Sequence, residues 1–328
     1  MIDAVAVPYG TGHGPRPDLD ALVRRLPPRP LTRFAPAPTG DLHLGHLVNA
    51  VYVWGLARAI GGRVLLRIED HDRARARAAF EQSILEDLEW LGLEPDIVGS
   101  RTGISRTRPL RQSDETHRYQ AALARLRRAA HVYACDCSRR DIAQQAGDVV
   151  DRETPYTGRC RERGLGDAPG RGLRLELDPG TEMFDDARLG VQAQDPSTQC
   201  GDLLLRDRLG HWTYQFAVTV DDFDQGVDLV IRGEDLLPST GRQLRLARLL
   251  GRPAPAVFLH HGLVRRASGR KLSKSSRDTS LRDLRAGGAT REELLGRAAG
   301  LCGLAAGGAR IGARDLARLF DGAGPTGR

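Results

Sequence analysis

Lysine is almost missing from this chain. Of its 49 basic residues, only Lys271 and Lys274 are lysine, and the rest are arginine. Cysteine is also scarce, with five in 328 residues, which excludes a disulfide-stapled secreted scaffold. No stretch approaches the roughly 18 apolar residues of a membrane helix, so no membrane association is expected. The first thirty residues are rich in Pro, Gly and Arg and lack the apolar centre of a secretory signal. A cytoplasmic location follows as the expectation. No internal repeat is visible, and 40% hydrophobic with 28% charged residues is too apolar a mixture for wholesale disorder.

What is present begins with charge. A net charge of +7 and a pI near 9.5 favour a polyanionic partner or substrate. The two lysines stand three residues apart in a chain that writes arginine nearly everywhere else. An ammonium is a compact point charge that a planar guanidinium often does not replace. Residues 271–274 are therefore a place where chemistry overrules composition.

Length and pattern suggest about two domains. Residues 1–30 read as a flexible leader with at most a short helix near Leu19–Leu26. A short strand at Leu31–Ala35, a Pro/Gly turn, a helix over Leu42–Ile60 and an apolar strand over Val64–Ile68 form a βαβ unit, so a parallel sheet is expected. Helices are predicted over Phe80–Leu91 and Thr116–Ala129. Residues 31–131 read as the first half of an α/β catalytic domain and 132–200 as an insertion with short strands such as Leu173–Leu177. Residues 201–275 read as the second half, with strands at Leu203–Leu205, Thr213–Val220, Leu229–Ile231, Val257–His260 and Leu263–Arg265 and a helix over Thr240–Leu250. Residues 276–328 read as a small helical appendage.

Two segments carry candidate chemistry. His43-Leu44-Gly45-His46 opens the first long helix, where free N–H groups and the positive dipole end favour an anion. Gly45 allows close approach of a ligand, and two histidines at i and i+3 share a face. The same pair also fits surface or core histidines, or two metal ligands. Lys271-Leu272-Ser273-Lys274-Ser275 is a loop of small polar residues whose ammonium groups can close over a triphosphate; a solvated basic loop is the alternative. Elsewhere, Cys135, Cys137 and Cys160 fall within 26 residues and can hold Zn²⁺ with a fourth ligand; three reduced cysteines without metal are the alternative. His131, Asp136 and Cys200 are candidates for the fourth position.

In this order the two segments resemble the class I aminoacyl-tRNA synthetases. The longer match resembles their glutamyl branch. It runs through Arg33-Phe34-Ala35-Pro36-Ala37-Pro38-Thr39-Gly40, Leu66-Arg67-Ile68-Glu69-Asp70, Leu85–Leu93, Arg111-Gln112-Ser113, Val220-Asp221-Asp222 and Ile231–Leu236. The resemblance implies a Rossmann-type parallel-sheet catalytic domain with an inserted, zinc-containing acceptor-type subdomain. It implies that ATP, carrying Mg²⁺, is bound by His43, Gly45, His46 and Lys274, with His43, His46, Lys271 and Lys274 acting in catalysis. L-Glutamate would contact the strand and turn Arg33, Phe34, Ala35, Pro36 and Ala37. Arg232 would take its side-chain carboxylate, Arg33 its α-carboxylate and Glu69 its ammonium, with Tyr214 adding a hydroxyl. Tyr156 would complete one structural zinc site with Cys135, Cys137 and Cys160.

Two positions depart from the pattern. Ala37 stands where relatives often have Ser, which removes a hydroxyl donor, and Val218 where full-length glutamyl enzymes usually have Asn. The chain is also too short for their helical anticodon-binding region. The resemblance is thus to short paralogues that activate glutamate and transfer it to the queuosine base of tRNA(Asp), as a monomer. A truncated enzyme charging a tRNA 3′ end, an activating enzyme with a non-RNA acceptor and a non-catalytic RNA-binding paralogue are the alternatives.

Overall fold

The computed structural model describes residues 16–71, 75–98, 109–146, 154–264 and 279–321. A short helix, α1 (Leu19–Arg24), is capped by the Asp18 carboxylate on the Ala21 N–H. It is followed by β1 (Leu31–Phe34), α2 (Leu44–Ala59), β2 (Arg63–Ile68), α3 (Ala78–Leu91), β3 (Ile97–Val98) and β4 (Leu110–Arg111). Then come α4 (Thr116–Ala129), β5 (Val132–Cys135), α5 (Arg139–Ala146), β6 (Gly172–Leu175), β7 (Glu182–Asp186), β8 (Gly190–Gln194) and α6 (Pro196–Cys200). The remainder holds β9 (Leu203–Arg206), α7 (Tyr214–Asp224), β10 (Leu229–Gly233), α8 (Thr240–Leu249), β11 (Val257–His261), α9 (Leu281–Ala286) and α10 (Arg291–Leu301).

β2 shows why the sheet is parallel. Val64, Leu65, Leu66 and Ile68 are all buried, so both faces must be covered by helices. Among the described residues the main sheet runs β3-β2-β1-β10-β11-β7-β8, with β4 also on β2. All pairs are parallel except the β7–β8 hairpin. From β1 the chain winds outward through β2 to β3, and from β10 it winds the other way to β11. The neighbours β1 and β10 therefore flank a switch point, and a crevice opens beyond their C-terminal ends, where open α/β sheets bind ligands.

α2 is apolar all round, because it lies between the sheet and the chain's last helices. Leu47, Val48, Val51, Val53, Trp54 and Leu56 share one core with Leu294, Leu295, Ala298, Leu316 and Phe320. Each fully buried side chain of this kind contributes about 1.5–3 kcal/mol. The helices after 279 are thus part of the main hydrophobic core, not an appendage hung from it. The expected leader also changes: from residue 16 the chain is packed, with Leu22 1% exposed in the same core and the Arg16 guanidinium on the Leu304 carbonyl.

A second sheet, β5-β6-β9, is antiparallel and shares its core with α4, α7 and α8 through Leu123, Leu126, Leu173, Leu175, Leu205, Phe216 and Leu246. Sheet membership crosses the 132–200 boundary in both directions. β9 belongs to the small sheet, whereas the β7–β8 hairpin extends the large one. Two expected strands are absent. Thr213–Val220 is the start of helix α7, and Leu263–Val264 carries no strand. Both short apolar runs fit either period, and packing decides: in α7, Phe216, Ala217 and Val220 face the second core while Asp221 and Asp222 turn toward buried arginines.

Candidate active site

The histidine segment forms a closed local structure. His43 is the N-cap of α2, and its Nδ1 accepts the Gly45 N–H at 3.1 Å. The His46 Nδ1 accepts the His43 N–H, also at 3.1 Å, which completes a capping box built from two imidazoles. With Nδ1 accepting, each neutral ring carries its proton on Nε2 and can donate there. Gly45 is required by its own neighbour: a Cβ at this position would lie 2.9 Å from the His43 Cε1. Its backbone thus serves the histidine cap before it serves any ligand.

Lys271 and Lys274 lie outside the described residues. The chain beyond them returns to the histidines, however. Ser280 pairs with His43 across a β-bridge, and the Leu281 N–H donates to the Leu42 carbonyl at 2.8 Å.

At the switch point the expected amino-acid residues meet. Arg33, on β1, is 4% exposed. Its Nε donates to Asp222 at 3.1 Å and its Nη1 to the Ile231 carbonyl at 3.1 Å, leaving Nη2 without a protein partner among the described residues. Glu69 follows β2, and its backbone N–H is tied to the Pro36 carbonyl. One Glu69 oxygen accepts from Arg67 at 3.0 Å, and the other has no partner among the described residues. Arg232, on β10, donates from Nε to His260 at 3.0 Å, from Nη1 to Gln243 at 2.7 Å and from Nη2 to Thr240 at 2.9 Å. Tyr214 neighbours the Arg232 guanidinium at the head of α7, and burial, with Glu69 nearby, raises its phenol. Burial likewise lowers Arg232 from the ordinary guanidinium range.

Phe34 turns its side chain away from the strand end. Its ring is 2% exposed and tilts against Trp54 at 5.2 Å in the main core, so only its backbone faces the strand end. Ala35 and Ala37 are half-buried on the turn, and Pro36 is buried.

The sequence reading assigned no role to the groups that hold this cluster. Asp222 bridges Arg33 and Arg67, taking the Arg67 Nη1 at 2.8 Å. Burial alone would raise its carboxyl, but the two guanidiniums hold it below the usual range. Arg67, 1% exposed, also donates to Gln225 at 2.9 Å. Next to it, burial pushes Asp221 up to about 6 despite hydrogen bonds from Gln112 and Tyr119. One signal of this layer was readable. A charge inside an apolar strand, such as Arg67 between Leu66 and Ile68, must be paired to be buried.

The cysteine cluster also closes. The Cys135, Cys137 and Cys160 sulfurs lie within 4.8 Å of one another. The Tyr156 hydroxyl lies 3.4 Å from the Cys135 sulfur and 3.8 Å from that of Cys137, and Cys137 and Cys160 are 3.6 Å apart. A tetrahedral metal with bonds of about 2.3 Å separates its ligands by about 3.8 Å, so these four atoms fit one. Two rival ligands are engaged elsewhere, His131 with Glu176 and the Cys200 sulfhydryl with the Pro196 carbonyl, whereas Asp136, paired with Arg163, also lies 3.4 Å from the Cys160 sulfur. Gly201, at φ +63°, lets the chain pair with Tyr156, since a Cβ there would sit 1.9 Å from the Tyr156 carbonyl oxygen. A cavity of about 400 Å³ between this cluster and the arginine site is lined by Tyr156, Arg174, Gln215 and Arg242.

Comparisons with known proteins agree with this layout. The family described as tRNA synthetases class I (E and Q), catalytic domain, matches residues 31–311. A glutamyl-Q tRNA(Asp) synthetase of Rhodobacter capsulatus is 42% identical over 279 residues, covering 79% of this chain and 96% of that protein. Its namesake in Burkholderia cenocepacia is 43% identical over 254 residues, covering 76% and 81%. Among solved structures, a glutamate tRNA ligase from Elizabethkingia meningosepticum, in complex with its amino acid, superposes with a TM-score of 0.71 at 26% identity. A glutamate-tRNA synthetase from Elizabethkingia anophelis gives 0.72 at 26%. The chain is covered to 89% in both superpositions but spans only 65% and 66% of those two longer proteins. Among the described residues no helix is long and apolar enough to cross a membrane.

Proposed function

The chain belongs to the class I tRNA synthetases of the glutamyl and glutaminyl branch, and from that premise we propose that it activates L-glutamate with ATP and passes the glutamyl group to the queuosine base of tRNA(Asp). The observation that carries the glutamate half is the convergence of Arg33, Arg232 and Glu69 at the β1/β10 crevice, beside the histidine-capped helix. Arg33, Arg67 and Arg232 there face the carboxylates of Glu69 and Asp222, with Asp221 3.9 Å from Arg67 on the far side. Glutamate, with two carboxylates and one ammonium, brings one negative charge. In this reading Arg232 takes the side-chain carboxylate, Arg33 offers Nη2 to the α-carboxylate and Glu69 its second oxygen to the ammonium. The close identity to proteins named glutamyl-Q tRNA(Asp) synthetase supports the acceptor.

An oxygen of the bound α-carboxylate attacks the ATP α-phosphorus, and pyrophosphate leaves. His43 and His46 donate from Nε2 to phosphate oxygens, and Lys271 and Lys274 bring ammonium charge to the same triphosphate. Mg²⁺, carried as part of the ATP substrate, would neutralise charge on its phosphates. A hydroxyl of the modified base then attacks the carbonyl carbon of the anhydride, and AMP leaves. Positioning and electrostatics carry both steps in this scheme.

Glutamate-dependent exchange of pyrophosphate into ATP tests the activation step. Lys274→Ala is expected to slow exchange by about 10²-fold, the effect of losing one transition-state charge partner, without lowering the melting temperature. An unchanged rate removes Lys274 from the mechanism, and wild-type protein that exchanges with no glutamate dependence contradicts the reading.

Cys135, Cys137, Cys160 and Tyr156 would hold one zinc ion. All four positions of that site are filled by protein, so the ion would fix the small subdomain and leave no position for substrate. Purified protein should contain about one equivalent of zinc by elemental analysis, and Cys160→Ser should lose it and melt earlier. Full-strength folding at zero zinc would refute the site.

A further inference from the structure

A guanidinium that reads a carboxylate must be held in one orientation, and Arg232 is oriented by a buried chain outside the crevice. Its Nε–H points at the His260 Nε2, 3.0 Å away. That bond exists only if Nε2 carries a lone pair, and a neutral imidazole has one donor nitrogen and one acceptor. Asp186 decides which is which. Its Oδ2 faces the His260 Nδ1 at 2.6 Å, so the proton belongs on Nδ1. Its Oδ1 is pinned by the Arg188 and Leu189 N–H groups at 3.1 and 3.0 Å, which prevents the carboxylate from rotating away. The side chains of Asp186 and His260 are both 0% exposed. The Phe258 ring packs under the guanidinium and stacks on His260. A protonated imidazole would offer Arg232 a second donor and a repelling charge, and burial lowers the His260 pKa away from that form.

We propose that Asp186 and His260 are positioning residues for amino-acid recognition: the carboxylate fixes the imidazole tautomer, and the imidazole fixes the orientation of Arg232, whose second Nη1 N–H, the one not donated to His260, Gln243, Thr240 or the Leu236 carbonyl, meets the side-chain carboxylate of the substrate. This rests on the reading of Arg232 given above. Neither residue touches the substrate. β7, β11 and β10 lie side by side, so the chain crosses three neighbouring strands from Asp186 to the crevice.

The test is a set of three variants in glutamate-dependent pyrophosphate exchange, reading KM for glutamate and KM for ATP separately. His260→Gln places an amide oxygen where Nε2 lies and keeps the acceptor for Arg232. His260→Asn reaches Asp186 but falls short of Arg232. We expect His260→Asn to raise KM for glutamate by about 10-fold or more with KM for ATP within about twofold, and His260→Gln to bring it back within about threefold of wild type. Asp186→Asn should behave like His260→Asn. The two backbone N–H groups hold its carbonyl oxygen, its amide nitrogen then donates to Nδ1, and Nε2 becomes a donor facing the Arg232 Nε–H. If Asp186→Asn does not fold, the pair at position 260 carries the test. Equal effects of Asn and Gln, or effects on ATP as large as on glutamate, would overturn the proposal and leave a packing role. Wild-type protein that exchanges nothing with glutamate would instead refute the functional reading, and this inference with it.

Discussion

Replacing Arg232 by alanine is expected to lower kcat/KM for glutamate by about 10³-fold in pyrophosphate exchange, with KM for ATP changed less than about threefold. The guanidinium is 4% exposed and tied on three sides to His260, Gln243 and Thr240. Truncating one partner of a buried, hydrogen-bonded charge pair costs about 2–5 kcal/mol, and the upper part of that range corresponds to about 10³. It applies here because the substrate carboxylate would be left in a desolvated pocket with no counter-charge. Arg232→Lys should not restore activity, since an ammonium has no planar fork to satisfy His260, Gln243 and Thr240 together. Exchange rates measured across a glutamate series check this. A variant with unchanged glutamate dependence would put the pocket elsewhere.

The second large effect falls on stability. Asp222→Ala is expected to destabilise the fold by about 3–5 kcal/mol, the usual cost of removing one partner from a buried ion pair. Its carboxylate is shared by two guanidiniums, Arg33 at 3.1 Å and Arg67 at 2.8 Å, and both arginines are nearly inaccessible. Without it, Arg67 keeps Glu69 and Gln225, but among the described residues Arg33 retains only the Ile231 carbonyl. Asp222→Asn keeps an acceptor and loses the charge, so it should fall between wild type and alanine. Denaturant unfolding of the three proteins measures the difference. If the alanine variant is as stable as wild type, Asp222 does not neutralise these arginines.

The parallel sheet was legible because its strands are apolar runs bounded by Gly, Pro and charges. Val64–Ile68 reads as a buried strand, and the Gly61-Gly62 pair marks where α2 stops. The crevice residues were legible through the resemblance to the glutamyl branch, and Arg33, Arg232 and Glu69 stand at or next to strand ends. Helix α7 was not, because Thr213–Val220 is short, aromatic and β-branched, and only its neighbours show that Phe216, Ala217 and Val220 share a helical face. The packing of residues 16–30 and of the C-terminal helices was equally hidden. Leu22 and Phe320 stand in or beside short apolar patterns, and what they pack against is known only once the α2 surface is placed. The supporting charges form a third class. Arg67, Asp222, Asp186 and His260 are visible as residues, but pairing across as many as 189 positions is a property of the fold alone.

The decisive measurement is the fate of labelled glutamate offered with ATP and Mg²⁺ to two preparations of tRNA(Asp), one carrying queuosine in its anticodon and one lacking it. This account predicts label on the modified tRNA and none on the unmodified one. Equal labelling of the two preparations, which would place the amino acid at the 3′ end, would contradict it.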